Sequence, residues 1–243
     1  MRGKLIVIEG TDCSGKETQT KKLIDRLRAK NIQVDNFSFP NYSSPTGKIV
    51  GGPYLGKNYI CDTYFEEGPT NVDPKVAALY YAADRKYNIN KITFLLENGF
   101  NVILDRYIYS NMAHQGGKIY NKQERENIYN WLETLEFDLL ELPHPDIAIF
   151  LHMPTSKTNI LKNDREEKPD GHEQDIKHLE NAEKSYLELV ERYNMHTIEC
   201  VKNDIIRDIE DINNEVFDYV ISSLEKENHL KKWFFKILFN KLQ

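Results

Sequence analysis

The chain has 243 residues, 40% hydrophobic and 29% charged, proportions ordinary for a globular protein that can bury a substantial core in one domain. Its formal charge of −6 argues against a dedicated nucleic-acid binder, yet admits a small anionic substrate held by local positive groups. Cys13, Cys61 and Cys200 are too few and too scattered for a disulfide framework or a zinc site, and the histidines show no metal spacing.

The first apolar run, 5–8, reads as a strand and not as a signal peptide. No apolar stretch approaches the ~20 residues that span a bilayer, so a cytoplasmic protein is expected. A helix is predicted over 17–30, a second strand over 34–39 ended by Pro40, then a long loop rich in Ser, Gly and Pro through Gly56. A helix follows over 74–98, with Pro at its start and Gly99 after its end. The run 102–104 reads as a buried strand, 124–140 as helix and 147–151 as a fourth strand. After a short helix, 163–175 is polar and mixed in charge. Helices over 176–193 and 205–224 flank a short strand at 196–201. Alternating β and α with short apolar strands predicts an α/β fold: a parallel sheet with helices on both faces and ligands beyond the carboxyl ends of the strands.

Gly10 to Gly15-Lys16 has the G-x4-G-K spacing of a phosphate-binding loop between a strand and a helix. Its amides can point at phosphate oxygens, with Lys16 and the helix dipole adding positive charge. Glu17 stands where Ser or Thr normally holds Mg²⁺, and Thr18 comes one step late. Asp105-Arg106 follows a strand expected beside the first, placing a carboxylate for Mg²⁺ next to an arginine that can clamp a phosphate. Tyr81 and Arg85 lie at i, i+4, suited to stacking on a flat base and bonding its carbonyl. On spacing alone a surface ring–cation pair is the simpler account. Lys162, Arg165 and Lys168 lie in the charged loop, which is either a solvated face or a lid over a transferring phosphate. The basic, apolar tail 226–243 fits packing on the body or on another subunit better than a membrane interface.

With these pieces in place the chain resembles the thymidylate kinase family along nearly its whole length. The pattern E-G-x-D-x-x-G-K-x-T-Q is matched by Glu9, Gly10, Asp12, Gly15, Lys16, Thr18 and Gln19. The pattern D-R-Y-x-x-S followed by A-Y-Q-G is matched by Asp105, Arg106, Tyr107, Ser110, Ala113, Gln115 and Gly116. An aromatic residue four before an arginine is matched by Tyr81 and Arg85. The resemblance implies a P-loop NTPase fold with a mobile lid at about 162–175, in a single kinase domain over 1–225. It implies transfer of the γ-phosphoryl of ATP to dTMP, with Mg²⁺, in a homodimer. ATP would bind at Gly10, Asp12, Cys13, Ser14, Gly15, Lys16, Glu17 and Thr18. The acceptor would meet Asp12, Phe39, Pro40, Tyr81, Arg85, Arg106, Tyr107, Ser110 and Gln115. Lys16, Asp105, Arg106 and the lid residue Arg165 would carry catalysis, and Asp105 and Glu17 the metal.

Several features depart from the family pattern. Asn41 and Tyr42 replace a phosphate-binding arginine, His114 replaces a tyrosine, and 47–73 is longer than usual. A kinase for another monophosphate or a deoxynucleoside, or a silent nucleotide-binding protein, therefore stand beside the dTMP kinase expectation. Neither nucleic acid nor membrane is expected as a partner.

Overall fold

The computed structural model describes residues 2–162 and 175–240. A five-stranded sheet, ordered β2-β3-β1-β4-β5, is built from β1 (Leu5–Gly10), β2 (Val34–Ser38), β3 (Asn101–Asp105), β4 (Ile147–His152) and β5 (His196–Glu199). All its pairings are parallel. Leu5, Val7, Val102, Leu104 and Phe150 face one core, while Ile6, Ile8, Ile103, Ile149 and Leu151 face another. The strands alternate between two apolar layers, so they read as unbroken apolar runs.

The second layer packs against α1 (Lys16–Ala29) and α8 (Ile209–Asn240). The first packs against α3 (Pro74–Glu97), α4 (Ile108–Gly116), α5 (Lys122–Glu133) and α7 (Ile176–Tyr193). Asp73 caps α3 by accepting from the amides of Lys75 and Val76, with Pro74 in the first turn. Gly99, at φ 86°, lets the chain leave α3 in a left-handed turn that a side chain would strain.

Several boundaries differ from the sequence expectation. The long loop after Pro40 contains α2 (Pro45–Ile49), started by the Ser44 side chain accepting from the amide of Gly47, and then a π-helical turn, Val50–Tyr54. The stretch 124–140 starts earlier, at the Asn121 cap of α5, and finishes as a second π-helical turn, Thr134–Leu139. Residues 205–224 are not all helix. Ile205–Ile206 pairs antiparallel with Val201–Lys202, and Asp208 accepts from the amide of Glu210 as α8 begins. Between β4 and α7 lies α6 (Thr155–Lys162). Most of the 162–175 segment, with Arg165, lies outside the described residues.

The segment between α2 and α3 folds back on itself. Tyr54 donates to the carbonyl of Pro69 at 2.9 Å, and Lys118, just beyond α4, donates to the carbonyls of Pro69 and Val72, both at 2.9 Å. Burial pushes the Lys118 ammonium down to about 8.

Candidate active site

The loop after β1 is shaped by contacts that only small residues allow. A Cβ on Gly10 would lie 2.5 Å from Ser14 Oγ and 2.7 Å from the Leu151 carbonyl. Gly15 has φ 76° and Cys13 φ 60°, which curls the chain into the first turn of α1. Lys16 folds across this loop, its Nζ donating to the carbonyls of Gly10 (2.9 Å) and Thr11 (2.7 Å). Burial, and then the charge of Arg106, pushes its ammonium down to about 8.

The neighbouring strand delivers the second half. Ile8 pairs with Asp105 across β1 and β3, so Asp105 and Arg106 emerge beside the loop. Arg106 adopts φ 65°, left-handed backbone that a non-glycine residue holds only when its surroundings impose it. Two contacts impose it: its amide donates to the Ile8 carbonyl at 3.0 Å, and its Nη2 donates to Asp12 Oδ1. Burial alone would raise the Asp12 carboxyl, but Arg106, with His114 and Lys16, holds it well below the usual carboxylate range. Glu9, fully buried, secures the next turn by accepting from the amides of Tyr107 (2.8 Å) and Ser110 (3.1 Å) and from the Ser110 hydroxyl. A carboxylate there also meets the positive end of α4, although burial leaves its pKa raised.

Both halves open on one cavity of about 660 Å³. Its wall includes Asp12, Cys13, Ser14, Gly15, Lys16, Glu17 and Thr18 from the loop, and Asp105, Arg106, Tyr107 and Ser110 beyond β3. Phe39, Pro40, Tyr81 and Arg85 line it as well. Two expected residues do not: Gly10 serves the close packing described above, and Gln115 is fully buried, its amide atoms without a hydrogen-bond partner among the described residues. Arg85 is no surface arm. Its Nε and Nη2 both engage Glu136, and the pair is buried.

Other cavity residues escape sequence reasoning. Asn111 lines the wall and donates to Glu136, while Lys57 reaches it from beyond the first π-helical turn, its Nζ 5.0 Å from the Tyr42 ring centre. A signal for Glu136 does exist. It continues the buried series Ile128, Leu132 at helical spacing, and a carboxylate on such an apolar stripe implies a buried partner. Nothing in the sequence marks Lys57.

Oxygen donors are present for a hard divalent cation. Asp105, with its carboxyl raised by burial and by the charge of Glu17, shares the cavity with Glu17 and the Thr18 hydroxyl. Opposing carboxylates of this kind are relieved by a cation. Among the described residues no three His, Cys, Asp or Glu form a cage, so most ligands would have to be phosphate oxygens and water, the usual arrangement for Mg²⁺.

Residues 8–212 match the family model described as thymidylate kinase. The chain is 28% identical to thymidylate kinase of Schizosaccharomyces pombe, over 90% of this chain and 92% of that one. It is 30% identical to thymidylate kinase of Plasmodium falciparum, over 88% of each chain. The solved thymidylate kinase of Candida albicans superposes with a TM-score of 0.68 at 26% identity, covering 91% of this chain and 92% of that one. Its P-loop NTPase architecture is the one described above. A match over most of the length places the chain in the thymidylate kinase family.

Proposed function

We propose that the chain transfers the γ-phosphoryl of ATP to the phosphate of dTMP, yielding dTDP and ADP for dTTP synthesis. The observation that carries this is the convergence of the Lys16 loop and the Asp105-Arg106 turn on one cavity whose far wall holds Tyr81 and Arg85. Lys16 and the loop amides hold the donor phosphates at the start of α1. Arg106, braced by Asp12, turns the acceptor phosphate so that one of its oxygens lies in line with the γ-phosphorus. That oxygen bonds to phosphorus as the bridging oxygen to the β-phosphate departs with ADP. Little covalent work falls to the protein, so positioning and fixed positive charge carry the rate.

Arg165, on the segment between α6 and α7, is the proposed cation that closes over the transferring group. Asp105, directly or through water, and the adjacent Glu17 would hold Mg²⁺, which would supply charge neutralisation to the donor phosphates. Lys57 adds positive charge to the wall it shares with Tyr42, which brings none. Tyr81 stacks on the base, and Arg85 meets its carbonyl.

A homodimer is part of the proposal. Val76, Leu79, Tyr87 and Phe94 are all exposed along one face of α3, an apolar stripe that a second copy would cover. Among the described residues no helix is long and apolar enough to cross a membrane, and three cysteines that form no disulfide with one another fit a reducing compartment such as the cytoplasm.

A coupled assay with MgATP and dTMP, dUMP, dCMP or thymidine tests the function. Turnover highest with dTMP is expected. Tight ATP binding without turnover on any acceptor would instead support a silent nucleotide-binding protein, the reading that Glu17 and the missing Pro40-loop arginine favour.

A further inference from the structure

We propose that Glu136 decides which base edge the acceptor pocket takes, by locking the Asn111 side-chain amide in one orientation beside Arg85. The inference rests on the proposed binding of a pyrimidine monophosphate against Tyr81 and Arg85.

Glu136 sits on the second π-helical turn and is fully buried. Its Oε2 accepts from Arg85 Nε and its Oε1 from Arg85 Nη2, both at 2.5 Å. The same Oε1 accepts from Asn111 Nδ2 at 3.0 Å, and Nδ2 also donates to the Ala78 carbonyl at 3.2 Å. Both neighbours of Nδ2 are acceptors only, so the amide fits one way round. Oδ1 is thereby the atom left over. It is buried with no hydrogen-bond partner among the described residues, on a side chain that forms part of the cavity wall. A buried acceptor without a donor is rare enough to call for a ligand. In Arg85 the pairing uses Nε and Nη2, leaving Nη1 outside it.

The wall therefore presents a lone acceptor next to a guanidinium donor. A base edge with a ring N–H beside a carbonyl matches both, and thymine and uracil carry that imide edge. Cytosine carries the reverse, a ring acceptor beside an amine, so acceptor meets acceptor and donor meets donor. Each mismatch in a buried site lowers binding by about 10- to 100-fold. Glu136 touches no substrate atom. It is a positioning residue that neutralises a buried arginine and imposes the direction of an amide at the same time.

The test is kcat and KM with dTMP and with dCMP, for wild type, Glu136→Gln and Asn111→Ala, with thermal melts to verify folding. In Glu136→Gln the new amide must turn a donor toward Arg85 or Asn111, so Nδ2 keeps only the Ala78 carbonyl as a fixed acceptor and the Asn111 amide is no longer locked. The dTMP-to-dCMP ratio of kcat/KM is expected to fall at least tenfold. Asn111→Ala is expected to lower kcat/KM for dTMP about tenfold or more, chiefly through KM, while dCMP changes less than threefold. If Glu136→Gln does not fold, the Asn111→Ala ratio decides alone. Equal losses on both substrates overturn the proposal while the kinase function stands. A wild-type enzyme that ignores dTMP overturns both.

Discussion

Arg106, at the end of β3, donates through Nη2 to the carboxylate of Asp12, in the loop after β1. The two halves of the site are thus joined by an ion pair at the cavity wall, and Arg106, the proposed acceptor clamp, takes its position from the loop after β1. The Asp12 carboxyl is held below its ordinary range, so the pair persists at every working pH and is lost only as pH falls through that depressed value.

Asp12→Asn keeps the shape and removes the charge. KM for dTMP is expected to rise about 10- to 100-fold, the value of a charge-assisted hydrogen bond. KM for ATP should change less. Steady-state kinetics varying each substrate separates the two, and equal changes would show that the pair does not serve the acceptor.

ATP affinity should weaken above pH 8. Lys16 is held at about 8 by burial and by Arg106, so it is neutral in a growing fraction of molecules as pH rises, whereas polyphosphate favours the ammonium. Binding then takes up a proton, and Kd rises by up to about tenfold per pH unit. Titration calorimetry in buffers of different ionisation enthalpy measures that uptake directly. A Kd flat from pH 7 to 9.5 contradicts the assignment.

Lys57 and Tyr42 line the same wall. Replacing Lys57 by Ala is expected to raise KM for dTMP roughly tenfold and to leave kcat and KM for ATP nearly unchanged, with Lys57→Arg largely restoring it. Unaltered dTMP kinetics would place its charge elsewhere.

Arg165→Ala should reduce kcat by about 10³- to 10⁵-fold, the range for a cation acting on a transferring phosphoryl group. Single-turnover measurement excludes product release as the cause. A loss below tenfold rejects Arg165 in that role.

Glu17→Ala reports on the metal. If Glu17 holds Mg²⁺ directly or through water, the concentration giving half-maximal rate rises ~10-fold. Superimposable Mg²⁺ curves show that it is no ligand.

The sheet is legible in the sequence because burial on both faces demands unbroken apolar runs, and 5–8, 102–104 and 147–151 are such runs. The loop and Asp105-Arg106 are legible because their spacing reflects backbone geometry within a few residues. By contrast, α4 carries no visible period: nearly all of it is buried, Ser110, Asn111 and Gln115 included, so polarity does not alternate around it. Asn111 and Glu136 meet across a sequence separation of 25, and the carboxylate lies on a π-helical turn that the sequence does not announce. Arg85 is legible as a residue but not as one half of a buried pair. Lys57 depends wholly on how the 47–73 segment folds.

That segment is pinned at its far end by Lys118, whose ammonium joins the Pro69 and Val72 carbonyls to the end of α4. Lys57 at one foot and Lys118 under the other make it a strap with two fastenings. It is therefore a transplantable unit only as a pair: moved into a relative without a lysine at the second fastening, it would lose its tether. Acetylating Lys118 in this chain would unbuckle the same strap without altering a single residue of the cavity wall.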